Sequence, residues 1–420
     1  MDKRSFIKNL GVMGVGLSAG FSQLRKAVAA VEHISPLDLA DDEEFWLKVR
    51  GDYQIKPDYI NLENGYYCFL PQQTLEHLIE HMRSLNYEGS YYMRTVQFEN
   101  KNRVASAVAE IVGCNSEEVV ITRNTTESLD LIIGGLDWEK GDEAVMAEQD
   151  YGAMLNHFNL VEQRYGTVNR LVSVPNHPQS DEELVELYAS AITDKTRLLM
   201  ISHMINITGQ VLPVRKIVDM AHERGVEVMV DGAHAYSHIP FKMRDLDCDY
   251  YGTSLHKWLS APLGSGMLYV KKQKIDRIWP LLASRELEPN DIRRLNHIGT
   301  HPAHTDLAIL NAIEYQNTLG LERKAARLKY LQQYWTSRLQ GVPGMIINTP
   351  AEQHRHGGIG NIGIEGINPV ELADRLMNDH RIYTAAIDRP GVRGIRVTPN
   401  VYTTTDELDI FVKALQTIRV

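Results

Sequence analysis

The sequence predicts an α/β fold: a large domain with a mostly parallel, seven-stranded-type sheet flanked by helices, followed by a smaller C-terminal α+β domain. Three observations carry that reading. From Glu117 to Val270, apolar runs of strand length alternate with helical stretches, the pattern of parallel strands joined by helical crossovers. The run ending in Asp231 is apolar at Val226, Val228, Met229 and Val230, as a strand buried on both faces requires. Beyond Thr305 the pattern turns to long helix and then to strands with single helices between them. At 420 residues the chain is long enough for one large and one small domain.

The elements follow in order. Thr74 to Val112 is helical, broken at Gly89. Glu117 to Thr122 is a strand, and Thr125 to Leu136 opens with polar caps and continues at helical apolar spacing. Asp142 to Gln149 and Arg197 to Ser202 are strands. Val214 to Arg224 is an amphipathic helix stopped at Gly225, a residue suited to a left-handed C-cap. Glu227 to Asp231, Tyr250 to Thr253 and Met267 to Val270 complete the strands of this half. Thr305 to Leu339 is helix with a break at Gly320. A strand (Gly360 to Ile364), a helix (Pro369 to Asp379), strands near Arg381 to Ala386 and at Gly394 to Thr398, and a helix from Thr405 to Ile418 close the chain. The expected division is an N-terminal segment, 30–64, packing on the small domain; a large domain, 65–304; and a small domain, 305–420, that includes the long linking helix.

Composition narrows the function. The chain is 43% hydrophobic and 23% charged, ordinary for a globular protein with a sizeable core. A formal charge of −10 argues against nucleic acid or anionic membrane as a main partner, since both select a basic surface. Cys68, Cys114 and Cys248 have neither paired nor CxxC spacing, so buried thiols are expected. The first 29 residues differ from the rest. A basic start containing Lys3-Arg4-Ser5-Phe6-Ile7-Lys8 precedes an apolar stretch, Leu10 to Phe21, and then the small-x-small triplet Ala27-Val28-Ala29. That stretch is too short to span a bilayer, and the whole reads as a twin-arginine-like export signal with Lys in place of the first Arg. The expectation is an exported, periplasmic protein without a stable membrane span; the alternative is an uncleaved arm on a cytoplasmic one. Removing residues 1–29, with five basic and one acidic residue, would take the charge to −14.

Asp231 and Lys257 are the most informative pair. Asp231 ends a buried strand, where an unpaired carboxylate is costly. Lys257 follows Ser254 and His256, and a Gly-rich turn then leads to the Met267 strand. A deep strand-end acid with a Ser-x-His-Lys loop is what a pyridoxal 5′-phosphate (PLP) site needs. The lysine forms the Schiff base and the acid keeps the pyridine nitrogen protonated.

Together with the strand-turn QDYGAM and the run SLHKWLSAPLGSGMLYV, these features make residues from about Ile60 to Val420 resemble the class V aminotransferases of the fold type I PLP enzymes. The resemblance is to the isopenicillin N epimerase-like branch. It implies that Thr125 and Thr126, opening a helix after a strand, cradle the cofactor phosphate with Ser254 and His256. Tyr151 would stack on the pyridine ring, with Asn206 and His234 beside its phenolic oxygen. Thr300 would reach the phosphate from a neighbouring subunit, making a homodimer with a shared site. Arg396 would grip the substrate α-carboxylate, for which a planar fork suits better than a lysine. Asn64, Gly65 and Tyr66 would line the substrate side, joined by Tyr91 and Tyr92. Taken singly, these residues have plainer readings: helix caps, a core tyrosine, a surface arginine. His234 has no second ligand at metal-binding spacing, so no metal is expected.

The expected catalytic set is therefore Lys257, Asp231 and His234, acting at Cα of an amino acid or small amino-bearing peptide. Epimerisation, transamination and β-elimination (a C–S lyase or kynureninase-like outcome) all start from the same lysine, and a PLP-binding protein without turnover is the less favoured alternative. A desulfurase needs a mobile cysteine shortly before the carboxylate-binding arginine, and no cysteine follows Cys248. An epimerase needs a second acid opposite Lys257, for which Tyr66, Tyr67, Tyr91 and Tyr92 are candidates. The substrate side chain is not legible, because pocket loops carry no signature.

Overall fold

The structure, a computed structural model, describes residues 21–282 and 287–418. After a short β1 (Ile60–Asn61), seven strands build the main sheet: β2 (Val119–Thr122), β3 (Glu143–Ala147), β4 (Val168–Val172), β5 (Thr196–Ser202), β6 (Glu227–Asp231), β7 (Tyr250–Ser254) and β8 (Gly266–Val270). Their order is β2-β8-β7-β6-β5-β3-β4. Only β8 runs antiparallel to its neighbours; the other pairings are parallel. The α/β class and the mostly parallel sheet of the sequence reading are what the structure shows.

Side-chain alternation explains why the central strands read as unbroken apolar runs. Val228 and Val230 of β6 join Leu199 and Ile201 of β5 in a core on one face of the sheet. Met229, Leu198 and Met200 join a second core on the other face. Both faces are covered, and each such side chain contributes about 1.5–3 kcal/mol on burial. Strand β4 escapes the sequence reading because it lies at the sheet edge, where only Val172 of VNRLV is buried. The helices Gly152–Tyr165 and Asp181–Ala189 that flank it were likewise unassigned.

The C-terminal part holds an antiparallel sheet of β9 (Met345–Ile347), β10 (Gly360–Ile364), β12 (Ala385–Arg389) and β13 (Val392–Val397), ordered β12-β13-β10-β9. Trp335, Leu339, Ile362 and Phe411 lie in its core. The long helix is two, Ala303–Leu319 and Leu321–Leu339, parted at Gly320, whose φ of 89° only glycine adopts readily.

The segment 30–64 touches both halves. β1 pairs with β11 (Ile382–Tyr383), while Phe45, Trp46 and Val49 share an apolar cluster with Trp258, Tyr315 and Tyr402. Arg327, fully buried, donates to the carbonyls of Ala40 and Thr403 and pairs with Glu43 at 2.6 Å. Ahead of this segment, Ser22–Ala30 is a helix that contains the Ala27-Val28-Ala29 triplet. Phe21 is fully buried there, its ring edge-on to Tyr315 at 5.4 Å. Residues 1–20 of the expected export signal lie outside the described residues. Among the described residues no helix is long and apolar enough to cross a membrane.

Candidate active site

In an open parallel sheet, ligands meet the carboxyl ends of the strands. Here that edge gathers Asp231 at the end of β6, Ser254 at the end of β7, and the start of the helix Thr125–Gly135 that follows β2. Asp231 is buried, and its Oδ1 accepts from the Ala233 amide at 2.9 Å. Its Oδ2 receives no hydrogen bond among the described residues. Burial raises the Asp231 carboxyl above the ordinary range, against lowering by the Ala233 amide and by Lys257.

Lys257 lies on the loop beyond β7 with Nζ 3.2 Å from His234 Nε2. Burial, aided by Arg396, brings its amine down to about 8, although Asp231 pulls the other way. The Trp258 indole N–H donates to His234 Nδ1 at 3.3 Å. A neutral His234 must then carry its proton on Nε2 and can donate it to a neutral Lys257 amine. His234 itself is held well below its ordinary value, first by burial and then by Lys257. Far more of the amine is therefore neutral, and able to act as nucleophile and base, than in an ordinary lysine near neutral pH.

The start of the helix Thr125–Gly135 forms an anion cradle. Ser254 Oγ accepts from the Thr125 amide at 2.9 Å and lies 2.7 Å from the Thr125 hydroxyl. Asn124 caps the helix by accepting from the Glu127 amide. The Thr126 amide and hydroxyl have no partner among the described residues, so the helix presents free donors at its positive end. His256 is fixed through Nδ1, which donates to the Ser265 carbonyl at 3.1 Å, leaving Nε2 open. Gly266 borders this cradle so tightly that a Cβ there would fall 2.6 Å from the Asn124 nitrogen.

Arg396 projects from β13. Its Nε and Nη2 donate to Glu63 at 3.1 and 2.5 Å, and Nη1 donates to the Asn206 carbonyl at 3.3 Å. Gly65 packs on the guanidinium plane, where a Cβ would lie 2.9 Å from Cζ.

Residues 69–397 match the family model described as Aminotransferase class-V. The chain belongs to the class-V aminotransferase family. Isopenicillin N epimerase of Streptomyces clavuligerus is 26% identical over 390 residues, covering 89% of this chain and 98% of that one. Cysteine desulfurase of Haloferax volcanii is 27% identical over 408 residues, covering 89% and 94%. Among solved structures, a cysteine desulfurase from Thermococcus onnurineus NA1 shares the fold at a TM-score of 0.77 and 21% identity, covering 88% of this chain and 96% of that one.

Class-V enzymes depend on PLP, and the chain is a PLP-dependent enzyme. The residues present fit that group. A buried carboxylate oxygen without a donor suits a pyridinium N–H, a neutral lysine amine suits an aldehyde, and the free donors at Thr126 suit a phosphate. Tyr151 is 43% exposed at the N-cap of the helix Gly152–Tyr165, and its hydroxyl has no hydrogen bond among the described residues.

Other expected site residues are placed less centrally. Asn206 meets Arg396 through its carbonyl, its side-chain amide unbonded. Thr300 is exposed and has no hydrogen bond among the described residues. Asn64 departs from the expected substrate role: it is fully buried, and its amide is engaged by Thr398, Tyr402 and Asn61 at 2.7–2.8 Å. It straps the loop in place. Tyr66 is 76% exposed. Tyr92 is buried and its hydroxyl accepts from Asn100 at 2.9 Å, while Tyr91 is exposed. Of the three thiols, Cys68 and Cys248 are buried and Cys114 is only half-buried.

Sequence reasoning missed two acids here. Glu63 sits directly before the Asn64-Gly65 loop but gives no local sign of its partner Arg396. Asp150 precedes Tyr151; its Oδ1 accepts from the Ser202 hydroxyl at 2.7 Å and its Oδ2 from the Ala147 amide at 2.8 Å. Burial, with a smaller push from Asp231, raises Asp150 to about 7.

Proposed function

We propose that the chain is an exported, homodimeric PLP-dependent enzyme acting at Cα of an amino acid or small amino-bearing peptide, in the manner of an isopenicillin N epimerase. The observation that carries this reading is the buried Lys257 amine, 3.2 Å from His234 Nε2 and within electrostatic reach of Asp231 and Arg396. Bound PLP supplies an electron sink for the charge left at Cα. Lys257 removes the Cα proton, a role that its amine at about 8 suits near neutral pH. Asp231 holds a proton donor at Oδ2, and Arg396 offers donors to the substrate carboxyl. His234, locked by Trp258, keeps the lysine aimed.

Epimerisation requires an acid on the face opposite Lys257. Tyr92 is engaged by Asn100, which leaves Tyr66 and Tyr67 on the loop beside Arg396 as the better candidates. Tyr67 is half-buried, and burial pushes its hydroxyl up to about 12, so it stays protonated and able to donate. β-Elimination is the second reading, favoured by the similarity to a cysteine desulfurase. Desulfuration itself lacks a nucleophile: Cys68 is fully buried, bonded to the Asn64 carbonyl and the Asn400 amide, and pushed up to about 12. Export rests on the first 29 residues, and the shared dimer site on Thr300, exposed and without a hydrogen bond among the described residues.

Incubation with L-amino acids in deuterated water separates the outcomes. Exchange at Cα with the amine retained and the D-isomer formed supports epimerisation. Pyruvate or sulfide release moves the assignment to a lyase, and keto acid formation to a transaminase. Lack of exchange for every amine tested, with PLP bound, leaves a binding protein.

A further inference from the structure

Arg396 does not stand free at the site. Glu63 and Arg396 are 8% and 7% exposed, and Glu63 takes the side edge of the guanidinium, Nε and Nη2. Glu63 cannot readily swing away, because its Oε1 also accepts from the Tyr66 amide at 2.9 Å and a backbone bridge pairs it with Thr398. An arginine has five N–H donors. Glu63 uses two and the Asn206 carbonyl one, so two remain, one on each Nη. The hydrogen-bonding fork survives, but its charge is met by a carboxylate in direct contact.

We propose that Glu63 turns Arg396 into a largely charge-offset hydrogen-bond receiver, so that the site takes α-amino carboxamides, including amino-terminal residues of small peptides, alongside free α-amino acids. The inference rests on Arg396 facing the substrate α-carbonyl group. An uncompensated arginine about 4 Å from a carboxylate, at an effective dielectric of about 20, favours the anion over a neutral amide by on the order of 1000-fold. A carboxylate already seated on the side edge repels an incoming one from about 7 Å, which offsets a factor of about 50 and leaves roughly 20-fold. A carbonyl oxygen needs only the two remaining N–H groups.

The test uses the PLP-loaded protein and calorimetric titration with L-alanine and L-alaninamide, with both concentrations expressed as free amine. Wild type is expected to bind the two within about 20-fold. Glu63→Gln keeps the side-chain shape but removes the opposing charge, and should shift the Kd ratio at least tenfold towards L-alanine. A wild-type preference for L-alanine approaching roughly 1000-fold overturns the proposal even if the variant fails to fold. So does a Glu63→Gln ratio that stays put or moves towards the amide. Arg396→Gln distinguishes failure of the underlying reading: it should weaken both ligands, and unchanged binding of both removes Arg396 from the substrate site altogether.

Discussion

Reaction of the cofactor-free protein with PLP provides the sharpest test of the site, because only a neutral amine attacks the aldehyde. Burial brings Lys257 from 10.5 to about 8. At pH 7.5 roughly a quarter of it is neutral, against about 0.1% of an ordinary lysine, an advantage of roughly 200-fold from ionisation alone. Stopped-flow absorbance of the cofactor-free protein mixed with PLP from pH 6 to 10 measures it. N-acetyl-lysine methylamide in the same buffers serves as reference, cancelling the titration of PLP itself. The normalised rate should fall towards the reference at high pH, where both amines are neutral. The uncorrected Lys257 rate should rise tenfold per pH unit only up to about 8. Asp231 opposes the shift, so Asp231→Asn should move the inflection to lower pH. A rate that keeps climbing to pH 10 in parallel with the reference refutes a desolvated lysine held by His234.

Three further outcomes follow from the geometry. Ser254→Ala removes the hydroxyl that meets both Thr125 groups, and should weaken PLP binding about 10- to 100-fold by equilibrium dialysis, the worth of a hydrogen bond in a charged cradle. Asp150 is raised from 3.8 to about 7, so the folded state binds a proton that the unfolded chain releases between those values. The stability it contributes in acid is lost as pH rises to about 7, by roughly 4 kcal/mol. Asp150→Asn should therefore melt higher than wild type at pH 8 and lose that advantage at pH 4; equal melting shifts at both pH values contradict the assignment. Arg327→Met removes the fully buried guanidinium that ties Ala40, Glu43 and Thr403 together, and should cost about 3 kcal/mol in urea unfolding, with a change under 1 kcal/mol counting against it.

Much of the molecule was legible because its signals are local. The run ending in Asp231 is buried on both faces, and the break at Gly320 takes a positive φ. Strand β4 was not legible, since an edge strand with Asn169 and Arg170 partly exposed carries no continuous apolar run. The site divides along the same line. Asp231, Ser254, His256 and Lys257 lie within one short stretch and announce themselves together. Glu63 and Arg396 are 333 positions apart, and neither sequence neighbourhood records that the other fills its hydrogen bonds. The strapping role of Asn64 is hidden for the same reason, because Thr398 and Tyr402 become its partners only in the fold.

That long-range strap also fixes where Arg396 stands. The Thr398 hydroxyl accepts from the amides of Asn64 and Gly65 at 2.6 and 3.1 Å, and Asn64 Nδ2 donates to the Thr398 carbonyl. Glu63, the loop that follows it and Arg396 are therefore fastened to the same strand end, and a shift of the C-terminal sheet carries the Glu63–Arg396 pair as one body. The Cys68 amide, at 3.2 Å from the His256 carbonyl, joins the same loop to the Lys257 turn. Separating the arginine from its carboxylate would break hydrogen bonds at Asn64, Gly65 and Tyr66 as well. The Glu63–Arg396 contact is consequently fixed by the fold rather than by the two side chains alone.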